Sequence, residues 1–266
     1  MENLRVVTLN LWGDRGRPAR RLEVVAEGLR ALEPDMVALQ EVREGPLTAQ
    51  ATTLSRLLGL YPAFGAVEPS SGGGPLGNAV LSRFPVVTSA NLKLPGTGED
   101  PRGALQVSVE TPCGQVRLTS CHLSWEPEAA PVRESQVLAL EELTRAPSSV
   151  HVLLAGDFNA SPQSRAVRFL CGLDSIDGRG TFFRDAWARR HSSDEGFTWS
   201  AGNPNAVRWI EQNRRIDYIF VRGAPTVRGE RTVEEARIVF DQPAADGTWP
   251  SDHFGVLAVV RLAPRA

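Results

Sequence analysis

Ten short apolar runs recur along the 266-residue chain, at 4–10, 36–41, 77–82, 86–94, 104–109, 116–123, 150–156, 215–221, 236–240 and 253–260. Runs of that length, bounded by Gly, Pro, Asn or Asp, suit strands of packed sheets and are short for buried helices. Between them, residues 18–32, 48–58, 131–143 and 162–170 carry helical spacing with charged outer faces. Pro18, Pro131 and Pro162 each fit a first helical turn, where a missing N–H costs nothing, and Ser161 is a candidate cap for the last. Many strands and few helices argue for packed sheets covered by helices, not a strictly alternating barrel. Residues 1–266 are read as one domain, since a chain of this length buries a sizeable core without dividing.

Loops are expected at the Gly-Pro-Ser clusters 68–75, 95–103 and 178–180, and no internal repeat is apparent. Residues 189–214 lack clear periodicity yet hold Phe197, Trp199 and Trp209. A loop that long inside a compact domain is more often functional than idle.

Charge names no partner: 23% charged residues and a formal charge of -2 describe a globular chain without an extreme field. The basic residues are lopsided, with Lys93 the single lysine beside 28 arginines. Arginine forks suit phosphate, although coding bias is the simpler account. Cys113, Cys121 and Cys171 are odd in number and lack metal-type spacing, so a reducing compartment fits best. Charges interrupt the N-terminal apolar stretch, and no run approaches the ~18 apolar residues of a membrane span. The expectation is a cytoplasmic protein without membrane insertion, acting as a monomer.

What the runs end on is more telling. Asn10 closes "VVTLN", Glu41 closes "VALQE", His122 closes "LTSCH", Asp157 and Asn159 follow "VLLAG", and Asp252-His253 precede "FGVLAVV". Singly, each has an ordinary explanation; "DFNASP" reads equally as an Asx turn with a helix cap. Asp217 is harder to dismiss, because "RIDYIF" surrounds it with apolar neighbours and a buried carboxylate needs a partner. His253 and His122 are candidates for that partnership, which would fix a tautomer and raise imidazole basicity. In extended chain, residues i and i+2 share a face, so Asp157 and Asn159 can address one point, as can Val6, Thr8 and Asn10, or Val37, Leu39 and Glu41. Glu41, Asp157 and Asp252 gathered together would suit Mg2+ or Mn2+ and disfavour zinc. Hard cations commonly meet phosphate, for which Asn, His and Arg are suitable donors.

The ordered set "TLN", "LQEV", "LSRFPV", "CHL", "GDFN", "RIDYIF" and "SDHFGV" resembles the endonuclease/exonuclease/phosphatase superfamily over residues 6–260. That resemblance implies an α+β fold of DNase I type: a four-layer αββα sandwich of two mainly antiparallel sheets flanked by helices. It implies Mg2+- or Mn2+-dependent phosphoester cleavage by in-line attack of water. Glu41 would be the principal metal ligand, with Asn10 beside it and Asp252 in support. Asp157 would position or deprotonate water, and Asn159 would hold the phosphate. His253, oriented by Asp217, would contact phosphate and act as general acid or base, with His122 holding or protonating on the opposite side. Arg83 of "LSRFPV" joins the substrate-binding candidates. Alternation would send Asp252 and His253 to opposite sides, so a bend is expected there.

His122 stands where abasic-site endonucleases typically carry Tyr, and Trp12 where they carry an acid. The opening "LNLWG" is similar instead to the neutral sphingomyelinase and DNase I-like branches. "FTWSAGNPN" resembles bacterial members and adds Trp199 and Asn203 as candidates for the substrate rim. The leading expectation is a phosphodiesterase acting on nucleic acid or nucleotide diesters. The alternatives are a hydrolase of lipid headgroups (sphingomyelinase-like) or small phosphoesters, and a binding protein without catalysis. A lipid substrate would call for an exposed apolar lip, and "SSGGGPLG" is hardly one. Arg15, Arg17, Arg20 and Arg21 read as a steering patch or, more simply, as a solvated helix start.

Overall fold

The computed structural model describes residues 2–45, 49–67, 74–96, 100–206, 213–223 and 232–262. Thr48, Trp209 and most of the 68–75 loop lie outside the described residues. In chain order the first elements are β1 (Glu2–Asn10), α1 (Pro18–Leu32), β2 (Met36–Arg43), α2 (Gln50–Leu58), β3 (Tyr61–Ala66), β4 (Leu76–Ser82) and β5 (Val86–Lys93). There follow β6 (Gly103–Thr111), β7 (Gly114–His122), α3 (Ala130–Leu143), β8 (His151–Asp157) and α4 (Arg165–Leu170). The chain continues with β9 (Phe183–Asp185), α5 (Ala186–Arg190), β10 (Asp217–Arg222), β11 (Thr232–Val239) and β12 (Gly255–Leu262).

Two six-stranded sheets have the orders β11-β12-β1-β2-β4-β3 and β5-β6-β7-β8-β10-β9. Each is antiparallel except at its centre, where β1 runs parallel to β2 and β7 parallel to β8. A parallel pair needs a crossover, and α1 and α3 supply it. Alternation along the strands sorts the core into three layers. Val6, Met36, Ala38, Leu118, Leu153 and Ala258 fill the space between the sheets. Val7, Leu9, Val37 and Leu39 pack with Val25 and Leu29 of α1 and Leu54 of α2. Cys121, Leu154 and Phe220 pack with Val137 and Leu140 of α3 and Phe169 of α4. The result is the αββα sandwich. Each fully buried Leu or Phe is worth about 1.5–3 kcal/mol, so these layers dominate stability.

Some expectations shift. The first turn of α4 begins at Arg165, because Ser164 and not Ser161 caps it, its Oγ accepting from Val167 N. Pro62 in β3 is tolerated because the strand lies at a sheet edge. The strand expected from residue 253 starts at Gly255, after the anticipated bend. Among the described residues no helix is long and apolar enough to cross a membrane.

Candidate active site

Both parallel pairs end at the same rim. Asn10 closes β1, Glu41 lies near the end of β2, and His122 and Asp157 close β7 and β8 in direct register. Beneath them a polar bridge joins the sheets: Gln40 Nε2 donates to Ser120 Oγ (2.9 Å), which donates to Leu39 O (3.0 Å).

Glu41 reaches the rim by breaking its strand. Val37 and Leu39 face the helices, so alternation would bury Glu41 among them. Instead Glu41 adopts φ 50° and the β2–β4 register shifts between Leu39 and Val42. The bulge turns its carboxylate to Asn10, whose Nδ2 donates to Glu41 Oε1 and to Asp157 Oδ2, both at 3.1 Å. The shared face expected of Val37, Leu39 and Glu41 is thus corrected. Asn10 Oδ1 accepts from Trp12 N (2.9 Å), so this side chain orients the two carboxylates.

Asp157 sits on the inner face of β8, where Gly156 adopts φ 145° and a Cβ would collide with the Cys121 carbonyl. Asn159 then takes φ 48° and donates its N–H to Asp157 Oδ1 (2.9 Å). The two side chains converge through an Asx turn rather than through extended chain, so the turn reading of "DFN" holds and the extended-chain route to a shared point is corrected. Asn159 Nδ2 donates to Leu123 O (3.0 Å) and lies 3.2 Å from His122 Nε2.

Asp217 begins β10 directly opposite Asp157 and is fully buried. Its Oδ2 accepts from His253 Nδ1 (3.0 Å), the partnership expected from "RIDYIF". Thr198 Oγ1 fixes the strand start by accepting from Ile216 N and Asp217 N. The 251–254 bend is pinned by Ser251, whose Oγ donates to Asn10 O (2.6 Å) and accepts from His253 N (3.2 Å). His253 Nε2 therefore lies 3.8 Å from Asp157 Oδ2, and Asp252 enters the cleft beside Glu41.

Proton affinities diverge across this cluster. Burial, with Asp217 adding, pushes Asp157 up to about 7 against the opposing influence of His253. His253 is held well above its ordinary value because Asp217 and Asp157 outweigh the cost of burial. Burial, Arg102 and His253 hold His122 well below its ordinary value. It is a neutral acceptor here, with Arg102 Nη1 2.8 Å from its Nε2, which disfavours the protonating role expected of it. Burial raises Asp252 to about 6, with Glu41 adding repulsion.

A cleft of about 430 Å³ opens over these groups, lined also by Trp12, Arg15, Arg102, Trp125, Trp199 and Arg214. Trp199 both lines the cleft and packs edge-on to His253, ring centroids 4.9 Å apart. Asn10 and Asp217 are fully buried behind the cleft lining, and two further sequence candidates lie away from it. Arg83 follows β4 at the opposite end of the sheet, paired with Asp35 at 3.0 Å, because β4 runs antiparallel to β2. Asn203 is fully buried and donates to Ser251 O (2.9 Å), supporting the 251–254 bend from behind rather than facing substrate.

Sequence reasoning missed the groups that act through loops. Arg21, expected to be solvated, is 4% exposed. Its guanidinium donates to Leu11, Gly13 and Pro250 carbonyls at 2.7, 2.9 and 3.0 Å and lies over the Trp12 ring. It ties the loop after β1 to the loop before Asp252. Arg102, steadied by Asp100, and Trp125 had no signal beyond their proximity to predicted strand ends.

Among the described residues, two sets of groups could hold a cation. Asp157, Asp217 and His253 bring ligand atoms within 4.8 Å of one another. Glu41 and Asp252 offer oxygens facing the cleft.

The Endonuclease/Exonuclease/phosphatase family matches residues 7–253. The chain is 26% identical over 307 residues to protein F14F9.5 of Caenorhabditis elegans, covering 96% of this chain and 90% of that one. D. rerio TDP2, solved in complex with a single-strand DNA product, superposes with a TM-score of 0.80 at 23% identity, covering 98% of this chain and 100% of that one. The human Nocturnin catalytic domain with bound sulfate gives 0.72 at 20% identity, covering 97% and 94%. Those likenesses establish the DNase I-like fold, and the match over residues 7–253 places the chain in the Endonuclease/Exonuclease/phosphatase family, whose members are phosphoesterases.

Proposed function

We propose that the chain is a phosphodiesterase that uses Mg2+ or Mn2+ to hydrolyse a diester of nucleic acid or of a nucleotide. One observation carries this reading: the first sheet brings oxygen ligands, Glu41 and Asp252, to the same cleft in which the second brings His122, Asp157 and Asn159. Glu41 and Asp252 would hold the cation, with Asn10 orienting Glu41. All-oxygen donors, and the burial that raises Asp252 with Glu41 adding repulsion, fit a hard divalent ion. Bound there, it would neutralise phosphate charge and polarise the ester. The Asp217–His253 pair is better suited to proton handling, since Asp217 Oδ2 already accepts the His253 Nδ1 hydrogen bond.

In the proposed reaction, Asp157 takes the proton of the attacking water, its raised affinity placing it close to neutral pH. His253, kept in one tautomer by Asp217, faces the phosphate and gives its Nε2 proton to the leaving ester oxygen as the P–O bond breaks. Asn159 Nδ2 and the Arg102 guanidinium donate to phosphate oxygens as their charge grows. Trp12, Trp125 and Trp199 offer stacking surfaces for bases, which supports a nucleic-acid substrate. So does the likeness to a DNA-bound fold relative.

The test is metal-dependent turnover of single-stranded and duplex DNA, RNA, bis-p-nitrophenyl phosphate, p-nitrophenyl phosphate and sphingomyelin vesicles. Polynucleotide cleavage lost in both Glu41→Ala and His253→Ala is expected. Turnover confined to small esters or lipid would overturn the substrate assignment, and equal residual rates in wild type and variants would overturn the catalytic one.

A further inference from the structure

We infer that Arg214 forms a second anion subsite in the cleft, taking a phosphate that flanks the scissile one. This rests on the phosphodiesterase reading and narrows its substrate to a diester carrying a further phosphate, such as a polynucleotide or a bisphosphorylated nucleotide.

Three observations meet there. Arg214 lines the cleft, yet its Nε is buried with no hydrogen-bond partner, and among the described residues its guanidinium has no ion pair. Of the other cationic groups at the cleft, Arg102 pairs with Asp100 and is assigned to the scissile phosphate, Arg21 is spent on backbone carbonyls, and Arg15 is exposed on the loop after β1. A half-buried guanidinium without an acid is costly unless an anion completes it.

The surroundings add to its charge. Arg214 disfavours the charge of buried Arg133, so the two guanidiniums are close neighbours. Arg133 is itself committed to Ser124 O and Glu126 O, whereas Arg214 lines the cleft. Those two carbonyls flank Trp125, which is 38% exposed at the cleft. On the other side the Arg214 backbone is paired with Trp199, Arg214 N donating to Trp199 O at 2.9 Å. A guanidinium with no ion pair among the described residues, in a cleft that also holds Trp125 and Trp199, matches a nucleotide unit: a phosphate for the fork and a base for a ring.

The backbone pairing also rigidifies the subsite. Trp199 N donates back to Arg214 O (2.9 Å), and Trp199 packs on His253. A flanking phosphate on Arg214 is therefore indexed to the imidazole that faces the scissile one, and such indexing favours cleavage within a strand over attack on an isolated ester.

The experiment measures equilibrium affinity in Ca2+, by tryptophan fluorescence, for thymidine 3′,5′-bisphosphate and thymidine 5′-monophosphate. Wild type, Arg214→Ala and Arg214→Gln are compared, with thermal midpoints confirming folding. The bisphosphate is expected to bind wild type more tightly. Both variants should lose about tenfold in affinity for it while losing much less for the monophosphate, in keeping with one charge-assisted contact. An equal loss for both ligands, or none for either, would overturn the subsite. Turnover of oligonucleotides by wild type, measured separately, reports on the phosphodiesterase reading itself. Inactivity with the bisphosphate preference intact would sink that reading alone.

Discussion

The two parallel strand pairs occupy the same place in their sheets and end at the same rim, yet they deliver different chemistry. At β7–β8 the strands stay regular: His122 and Asp157 face each other in register, buried, with proton affinities moved in opposite directions. At β1–β2 the regular pattern is broken, and Glu41 arrives only through a bulge and a left-handed backbone. Burial in a regular register tunes protons, whereas the bulge brings a carboxylate to where water and a cation can reach it. One topology, used twice, thus separates proton handling from charge binding.

The harshest way to break that division is to remove one group from each half. Glu41→Gln and Asp157→Asn should each lower turnover by about two to three orders of magnitude or more, read from kcat/KM on an oligonucleotide. Asp217→Asn sharpens the proton side. It leaves His253 in place but removes the carboxylate that fixes its tautomer, and a loss of about a hundredfold in kcat with little change in Mn2+ affinity is expected. Arg21→Lys probes the other half from behind. Losing the fork that joins the loops carrying Asn10 and Asp252 should weaken Mn2+ binding about tenfold, as measured by calorimetry on folded protein.

Proton linkage gives a gentler test. Asp157 and Asp252, at about 7 and about 6, hold protons more tightly folded than unfolded. Their contribution to stability is present below the unfolded carboxylate value and is lost as pH rises through 6 and 7. Without divalent ions the thermal midpoint should therefore fall by roughly a few degrees between pH about 5 and about 8. Saturating Mn2+ should cancel that fall, and a midpoint rising with pH without it would contradict the raised affinities. Arg83→Ala should do least, changing kcat/KM by less than about twofold, since it lies at the far end of the sheet.

How far this was legible in the sequence follows the same line. Strand-end residues in regular register, His122 and Asp157, can be placed from apolar periodicity alone; the cost of a buried carboxylate narrows the partner of Asp217 to His253 or His122, and the family resemblance points to His253. Glu41 was identified correctly as a rim residue but by a face rule that its bulge violates. Arg83 and Asn203 were drawn in by neighbouring motifs, although strand direction carries Arg83 away and burial turns Asn203 into a support for Ser251. Arg21, Arg102 and Arg214 escaped because their positions depend on how loops fold back, which no local period encodes. The edge strand β3 was hidden by Pro62, a residue tolerated only because of where the strand lies in the sheet.

The most direct measurement is a calorimetric titration of Mn2+ into wild type, Glu41→Gln and Asp157→Asn, paired with oligonucleotide turnover by each. Wild type should bind and cleave, Glu41→Gln should lose both, and Asp157→Asn should bind as wild type does while cleaving far more slowly. Equal Mn2+ affinity in wild type and Glu41→Gln, or an equal loss of affinity in both variants, would contradict the division of the site between its two strand pairs.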